Sequence, residues 1–127
     1  MTRINLLPPK ELYYKHLLAE LRELPRVFAY VSKYGISPII APNYTLNKGH
    51  VKFFTNKLQF LFCRYCMLHN EATLRGYNIN FTIDELYAKY AKLIISPQQI
   101  KYTPTPEEIN ISHQRITEKL KSILSQN

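Results

Sequence analysis

Residues 8–35 read PPKELYYKHLLAELRELPRVFAYVSKYG, and this stretch decides the fold class. Leu17, Leu21, Leu24, Phe28 and Val31 recur at i, i+4, i+7, i+11 and i+14, the spacing of one buried face of an α-helix. A helix is therefore predicted from just after Pro8-Pro9 to about Lys33, with Gly35 closing it. Pro25 falls inside the pattern. It has no amide to offer the carbonyl of Leu21, so a kink is expected there rather than a break.

Downstream, residues 35–50 hold Gly35, Pro38, Pro42, Asn43, Asn47 and Gly49 and read as loop. A second helix is predicted from Asn56, with Gln59 as capping-box partner, Leu58, Phe62, Tyr65, Leu68 and Ala72 as its apolar stripe, and Gly76 as its stop. Thr82 and Glu85 repeat the capping-box spacing, so a shorter helix is expected over 83–93, which Pro97 keeps from extending. Thr105, Pro106 and Glu108 combine a cap, a first-turn proline and an acid in the third position. The helix that follows, to about Leu124, should turn Ile109, Ile116, Leu120 and Ile123 inward. No alternating run argues for a sheet. The expected fold is all-α: a single compact domain over 1–127, with three to four helices, long loops and a proline kink in the first helix.

With 46% apolar and 13% aromatic residues in a 127-residue chain, there is material for a real core, which excludes disordered and collagen-like classes. No stretch approaches the ~20 apolar residues of a membrane helix, and Pro8 and Pro9 interrupt the only candidate for a signal peptide. The expectation is a soluble, intracellular protein, in cytoplasm or nucleoid, or in nucleus or virion if the source is eukaryotic or viral. Two cysteines are too few for a disulfide framework. Seventeen basic against nine acidic side chains give +8, and the surplus is lopsided: ten against three in residues 1–64, seven against six in 65–127. That asymmetry points to a polyanion-binding surface.

On the first helix, His16, Glu20, Arg22, Glu23 and Arg26 fall away from the core stripe. Two arginines one turn apart, flanking a glutamate, suit phosphate binding around a carboxylate with another task. The same spacing suits a solvated face of i, i+3 and i, i+4 ion pairs worth a few tenths of a kcal/mol each. At the N-terminus, Thr2 is small enough to permit removal of Met1. An α-amine has a pKa of ~7.7–8.0, so roughly a tenth is neutral at pH 7, against less than about a thousandth of a lysine. Arg3 alongside would favour the neutral form further, making a competent amine nucleophile for a carbonyl or abasic sugar. Cys63 and Cys66, with His69 three residues on, read as two buried cysteines; a zinc site would need His50 or His113 as a further ligand. There is no phosphate-cradling glycine loop, zinc-protease signature or serine triad.

Taken together, these residues resemble the phage and viral pyrimidine-dimer DNA glycosylases, also called pyrimidine dimer endonuclease V. The matching stretches are Met1-Thr2-Arg3-Ile4-Asn5-Leu6, Ala19-Glu20 and Arg22-Glu23-Leu24-Pro25-Arg26-Val27-Phe28. They continue with Gly49-His50-Val51, Phe53-Phe54, Lys57-Leu58, Phe60-Leu61 and Arg75-Gly76-Tyr77-Asn78-Ile79, then Arg115 and Lys119. The resemblance departs at Leu21, where the family has a tyrosine, at Phe62 and Cys63, where the phage enzyme has basic residues, and in the absence of tryptophan.

The resemblance implies a mainly helical DNA repair enzyme without metal or cofactor, acting on double-stranded DNA with damaged bases as a monomer. It implies a bifunctional N-glycosylase and abasic-site lyase for cis-syn cyclobutane pyrimidine dimers. Thr2 would supply the amine nucleophile and Glu23 the catalytic carboxylate, while Arg3, His16, Arg22, Arg26, Arg115 and Lys119 would grip the DNA. The alternatives are the same chemistry on other damaged bases or on abasic sites, a non-catalytic basic DNA-binding module, and a helical interaction protein.

Overall fold

Helix signals in the chain are realised as six helices and no strand among the described residues, with one 3-10 turn at Pro9–Glu11. The helices are α1 (Tyr14–Glu23), α2 (Pro25–Tyr34), α3 (His50–Phe53), α4 (Leu58–Leu74), α5 (Ile83–Ile94) and α6 (Pro106–Ser125). The computed structural model describes residues 2–125; Met1, and with it the expected processing at that residue, lies outside the described residues, as do Gln126 and Asn127.

Helices α1 and α2 are the single kinked helix that the sequence foretold. Leu24 keeps helical dihedrals (φ −56°, ψ −43°) between them, and the bend is a shallow 20°. The chain loses only the hydrogen bond that Pro25 cannot donate. The helix starts later than expected. Pro9–Glu11 forms a 3-10 turn, and Leu12 then takes an extended conformation (ψ 135°) that buries its side chain, so regular helix begins at Tyr14. Gly35 ends α2 at φ +79°, in the region where a Cβ is strained.

The predicted stripe of α1 and α2 is all buried, and it faces α4 and α5. Helix α4 is the centre of the molecule, packed on α1, α5 and the 3-10 turn, with Leu58, Leu61, Tyr65, Leu68 and Ala72 all fully buried. Its start differs from expectation: the Leu58 amide is capped by Gln99 Oε1 (2.8 Å), not by Asn56. The cap thus comes from a residue 41 positions away, and Gln59 instead donates to the Ile94 carbonyl (3.0 Å). The Thr82/Glu85 capping box of α5 is present on both sides. That of Thr105 and Glu108 is present too, at 2.9 and 3.1 Å. On α6 Ile116 is buried and Leu120 packs against the core as expected, but Ile109 is 37% exposed and Glu108 and Ser112 are buried instead. Two polar residues take core positions there because they hold the N-terminus and the 35–49 loop.

That N-terminal segment has no strand to pair with, yet Ile4, Asn5, Leu6 and Leu7 are buried. Side chains satisfy its backbone. Ile4 N–H donates to His50 Nε2 (2.8 Å), the Tyr44 hydroxyl donates to Ile4 O (2.6 Å), and Leu6 N–H donates to Ser112 Oγ (2.9 Å). Arg64 donates to Leu7 O. The same Arg64 pairs in a fork with buried Glu20 (2.8 and 3.0 Å), and Asn5 Nδ2 also donates to Glu20 (2.9 Å).

Two stability predictions follow from these contacts. Arg64→Met leaves the Glu20 charge buried and unpaired, so urea melts should show a loss of about 3–5 kcal/mol, whereas the double variant with Glu20→Leu should lose less. His50 accepts from Ile4 through Nε2 and is held neutral; burial, aided by Arg3 and Arg115 and opposed by the Thr45 carbonyl, lowers its pKa to about 4. Because the unfolded chain titrates near 6.5, it binds the extra proton first as pH falls. The contribution is thus fully present above about pH 6.5 and lost towards pH 4, in all ~3 kcal/mol. In His50→Gln, stability over that window should be correspondingly flatter.

Candidate nucleic-acid interface

The candidate site lies where the N-terminal segment crosses the end of α1. Arg3 N–H donates to Glu23 Oε1 at 2.9 Å, and Glu23 is only 14% exposed at the mouth of a small cleft. Arg3, Asn5, His16, Glu20, Glu23 and Arg115 line this cleft of about 120 Å³. Thr2 is one bond further along. Since successive backbone nitrogens lie no more than about 3.7 Å apart, the Thr2 nitrogen lies within about 7 Å of Glu23 Oε1. Thr2 and Arg3 also border a wider hollow of about 960 Å³, closed on the far side by Ala41 and residues 45–51.

Arg115, half-way along α6, reaches back to Asn5 Oδ1 (3.4 Å). Since Asn5 Nδ2 donates to Glu20, both ends of the Asn5 amide are assigned by their partners. Burial, then Arg3, lowers the Arg115 pKa, although that side chain stays a cation at any ordinary pH. Burial also lowers the pKa of His16, with Arg115 and Lys119 adding to the shift. The neutral imidazole of His16 is thereby favoured, and its Nδ1 is buried with no hydrogen-bond partner among the described residues. Lys119 is exposed on α6, close enough for its charge to act on His16.

Thus Thr2, Arg3, His16, Glu23, Arg115 and Lys119 gather at one place, from the N-terminus, α1 and α6. Arg22 stands beside them, its side chain 66% exposed and 3.6 Å from Glu23 Oε2. Arg26 is exposed one turn on, in α2. The arrangement is a carboxylate ringed by cations, open to solvent on the arginine side. It suits a polyanion brought against an amine and a carboxylate.

Three readings of the sequence need correction. Glu20 does not share the solvated face: it is 1% exposed and bound to Arg64. Glu20 lies three residues after Leu17, and Arg64 three after Leu61, so both sit on apolar stripes; a charge in that position signals a buried partner. The cysteines are not both buried, because Cys63 faces solvent and Cys66 is half-buried. Nor can His50 join them as a zinc ligand. Both its ring nitrogens are engaged, Nε2 by Ile4 and Nδ1 by the Thr45 carbonyl (2.7 Å), and no group of three His, Cys, Asp or Glu side chains among the described residues could hold a metal. His50 itself was missed as a structural residue; nothing local marks it, since its partner Ile4 is 46 positions away.

Among the described residues no helix is long and apolar enough to cross a membrane. The family model described as pyrimidine dimer DNA glycosylase matches residues 1–85, about two thirds of the 127-residue chain. The matched stretch contains Thr2, Arg3, His16, Arg22, Glu23 and Arg26, whereas Arg115 and Lys119 come from α6 beyond it. With the polyanion-facing cluster and the N-terminal geometry, this match settles the grouping: the chain belongs to the pyrimidine dimer DNA glycosylase family.

Proposed function

We propose that this DNA repair glycosylase is bifunctional, breaking the glycosidic bond of one base of a cis-syn pyrimidine dimer and then cleaving the strand as an abasic-site lyase. One observation carries the reading. The Arg3 amide is bonded to Glu23 Oε1, which keeps the Thr2 amine beside a carboxylate at the edge of an open, cationic cleft. A bare DNA-binding surface needs neither the amine nor the carboxylate.

The neutral Thr2 amine attacks the sugar C1′ as the glycosidic bond breaks; the base leaves C1′ with the electron pair, takes up a proton and stays joined to its neighbour through the cyclobutane ring. Opening of the C1′–O4′ bond then gives a protonated imine between Thr2 and C1′. That imine acidifies C2′; loss of a C2′ proton breaks the C3′–O bond and expels the 3′-phosphate. Hydrolysis of the imine returns the free amine. Glu23, with its carboxylate close to the sugar, stabilises the oxocarbenium charge that develops at C1′ and afterwards accepts or delivers protons. Arg3, Arg22, Arg26, Arg115 and Lys119, with His16, hold the backbone around the lesion. Damaged pairs are the easiest to open, because lost stacking and pairing lower the energy of extrusion.

With Met1 removed, borohydride should trap a covalent complex between a dimer-containing duplex and the α-amine of Thr2. An adduct mapped to a lysine refutes the assignment, and trapping on an abasic duplex alone shifts the substrate to abasic sites. Glu23→Gln keeps shape but removes charge, so binding of damaged duplex should persist while base release slows by about 10²-fold or more. A near-normal rate would make Glu23 a structural tether only.

The grip on DNA has its own signature. Five phosphate contacts should give a slope of log K against log salt near −4 to −5, at about −0.9 per contact. Arg22→Ala or Arg26→Ala should flatten it by ~1, whereas Lys89→Ala and Lys92→Ala, exposed on α5, should not. Binding to undamaged duplex should weaken in parallel, since phosphate contacts carry no lesion information.

A further inference from the structure

We propose that His50 is a positioning residue for the Thr2 amine, acting as the neutral Nδ1–H tautomer that accepts the Ile4 amide hydrogen. The inference rests on the reading of Thr2 as nucleophile and adds to it the part that fixes where that nucleophile stands.

Arg3 N–H is taken by Glu23 from the α1 side, and Ile4 N–H by His50 Nε2 from the α3 side (2.9 and 2.8 Å). Tyr44, Ser112 and Arg64 hold the chain behind this point, and Glu23 and His50 hold the two amides nearest the amine from two different helices, which sets the roll of the chain there. Everything N-terminal to Arg3, which is where the amine sits, takes its direction from this pair.

The imidazole is built for the task. A backbone amide can only donate, so Nε2 must be bare and the ring proton must sit on Nδ1, where it donates to the Thr45 carbonyl (2.7 Å). Tyr44 and Phe54 pack edge-on against the ring, with centroids 5.3 and 5.6 Å away. The Tyr44 hydroxyl also donates to the carbonyl of the same Ile4 (2.6 Å). His50 is 3% exposed, so the ring can neither turn nor trade its bond for one to water. No aliphatic residue could replace it without leaving the Ile4 amide buried and unpaired. Gln can, because its side-chain oxygen accepts while its NH₂ group donates.

The test has two arms. The first needs no activity: nitrogen-15 NMR of the histidine rings should show His50 with a bare Nε2 and a protonated Nδ1, and a protonated Nε2 overturns the proposal. The second compares single-turnover borohydride trapping at saturating dimer duplex with the Kd for the same duplex. His50→Ala should slow trapping by about tenfold or more, as a displacement near 1 Å does, while Kd changes by less than about threefold. His50→Gln should recover most of the rate. Equal loss of rate and binding, without recovery in His50→Gln, marks a merely structural role and refutes positioning; so does unchanged trapping in His50→Ala. If His50→Ala does not fold, the His50→Gln rate and the ring tautomer decide. If wild-type protein traps nothing on Thr2, the catalytic reading itself fails, and the NMR arm still reports the clamp separately.

Discussion

The structure depends on how a buried, unpaired segment of backbone is satisfied. Residues 4–7 run through the interior without a strand beside them, and each buried amide or carbonyl left unpaired would cost about 1–3 kcal/mol. His50, Tyr44, Ser112 and Arg64 take four of these groups, from α3, the 35–49 loop, α6 and α4, and Glu23 on α1 takes the half-buried Arg3 amide just before them. Four such losses would be comparable to the whole stability of an ordinary domain, about 5–15 kcal/mol. The elements therefore cannot shift independently of the segment. Chain termini usually fray, which would ruin a reactive group placed there. Here the second residue projects from a length of chain that the core holds at several points.

Two carboxylates on α1, three residues apart, meet opposite fates for this reason. Glu20 turns inward, where the forked guanidinium of Arg64 and the amide of Asn5 satisfy it. Glu23 emerges at the cleft with one oxygen on the Arg3 amide and the other near Arg22. Only the second can meet a substrate. The charge asymmetry of the sequence is altered by the same packing. Of the ten basic residues in positions 1–64, Arg64 and Lys57 are internal, Lys57 donating to the Phe53 carbonyl (2.8 Å) with its ammonium 3.9 Å from the Phe53 ring centroid. The surplus that faces solvent is accordingly smaller than the composition suggests, and what remains includes the arginines around Glu23.

The sequence was legible where structure follows local rules. The stripe from Leu17 to Val31, the shallow kink at Pro25, the stop at Gly35 and the two Thr–Glu capping boxes all obey spacing or dihedral constraints a few residues long. It was illegible where a polar group is satisfied from far away. Ser112 and Glu108 occupy the inward face of α6 because their partners, Leu6 and Tyr44, lie 106 and 64 positions off, so a rule that places isoleucines inward chose Ile109 wrongly. The Asn56 cap failed likewise, displaced by Gln99 from the loop after α5. For the site, periodicity offered two readings of the Arg22–Arg26 face, and spacing alone favoured the solvated ion-pair one. What tipped the balance was the combined N-terminal and helical motif, not any single spacing.

The burial of Glu20 also bears on the chemistry proposed for Thr2. An amine attacks only when neutral, and each nearby carboxylate favours the ammonium while each nearby cation opposes it. Were Glu20 as open as Glu23, two carboxylates would act on the amine. Arg64 neutralises one of them inside the core, leaving Glu23 to face Arg3, Arg22, Arg115 and Lys119. Burial, with Arg115 and Lys119, favours the neutral form of His16, so it adds little charge of its own. The cation excess that would attract a phosphate backbone is thus also the field that would keep the amine reactive, and a single internal ion pair sets the balance for both.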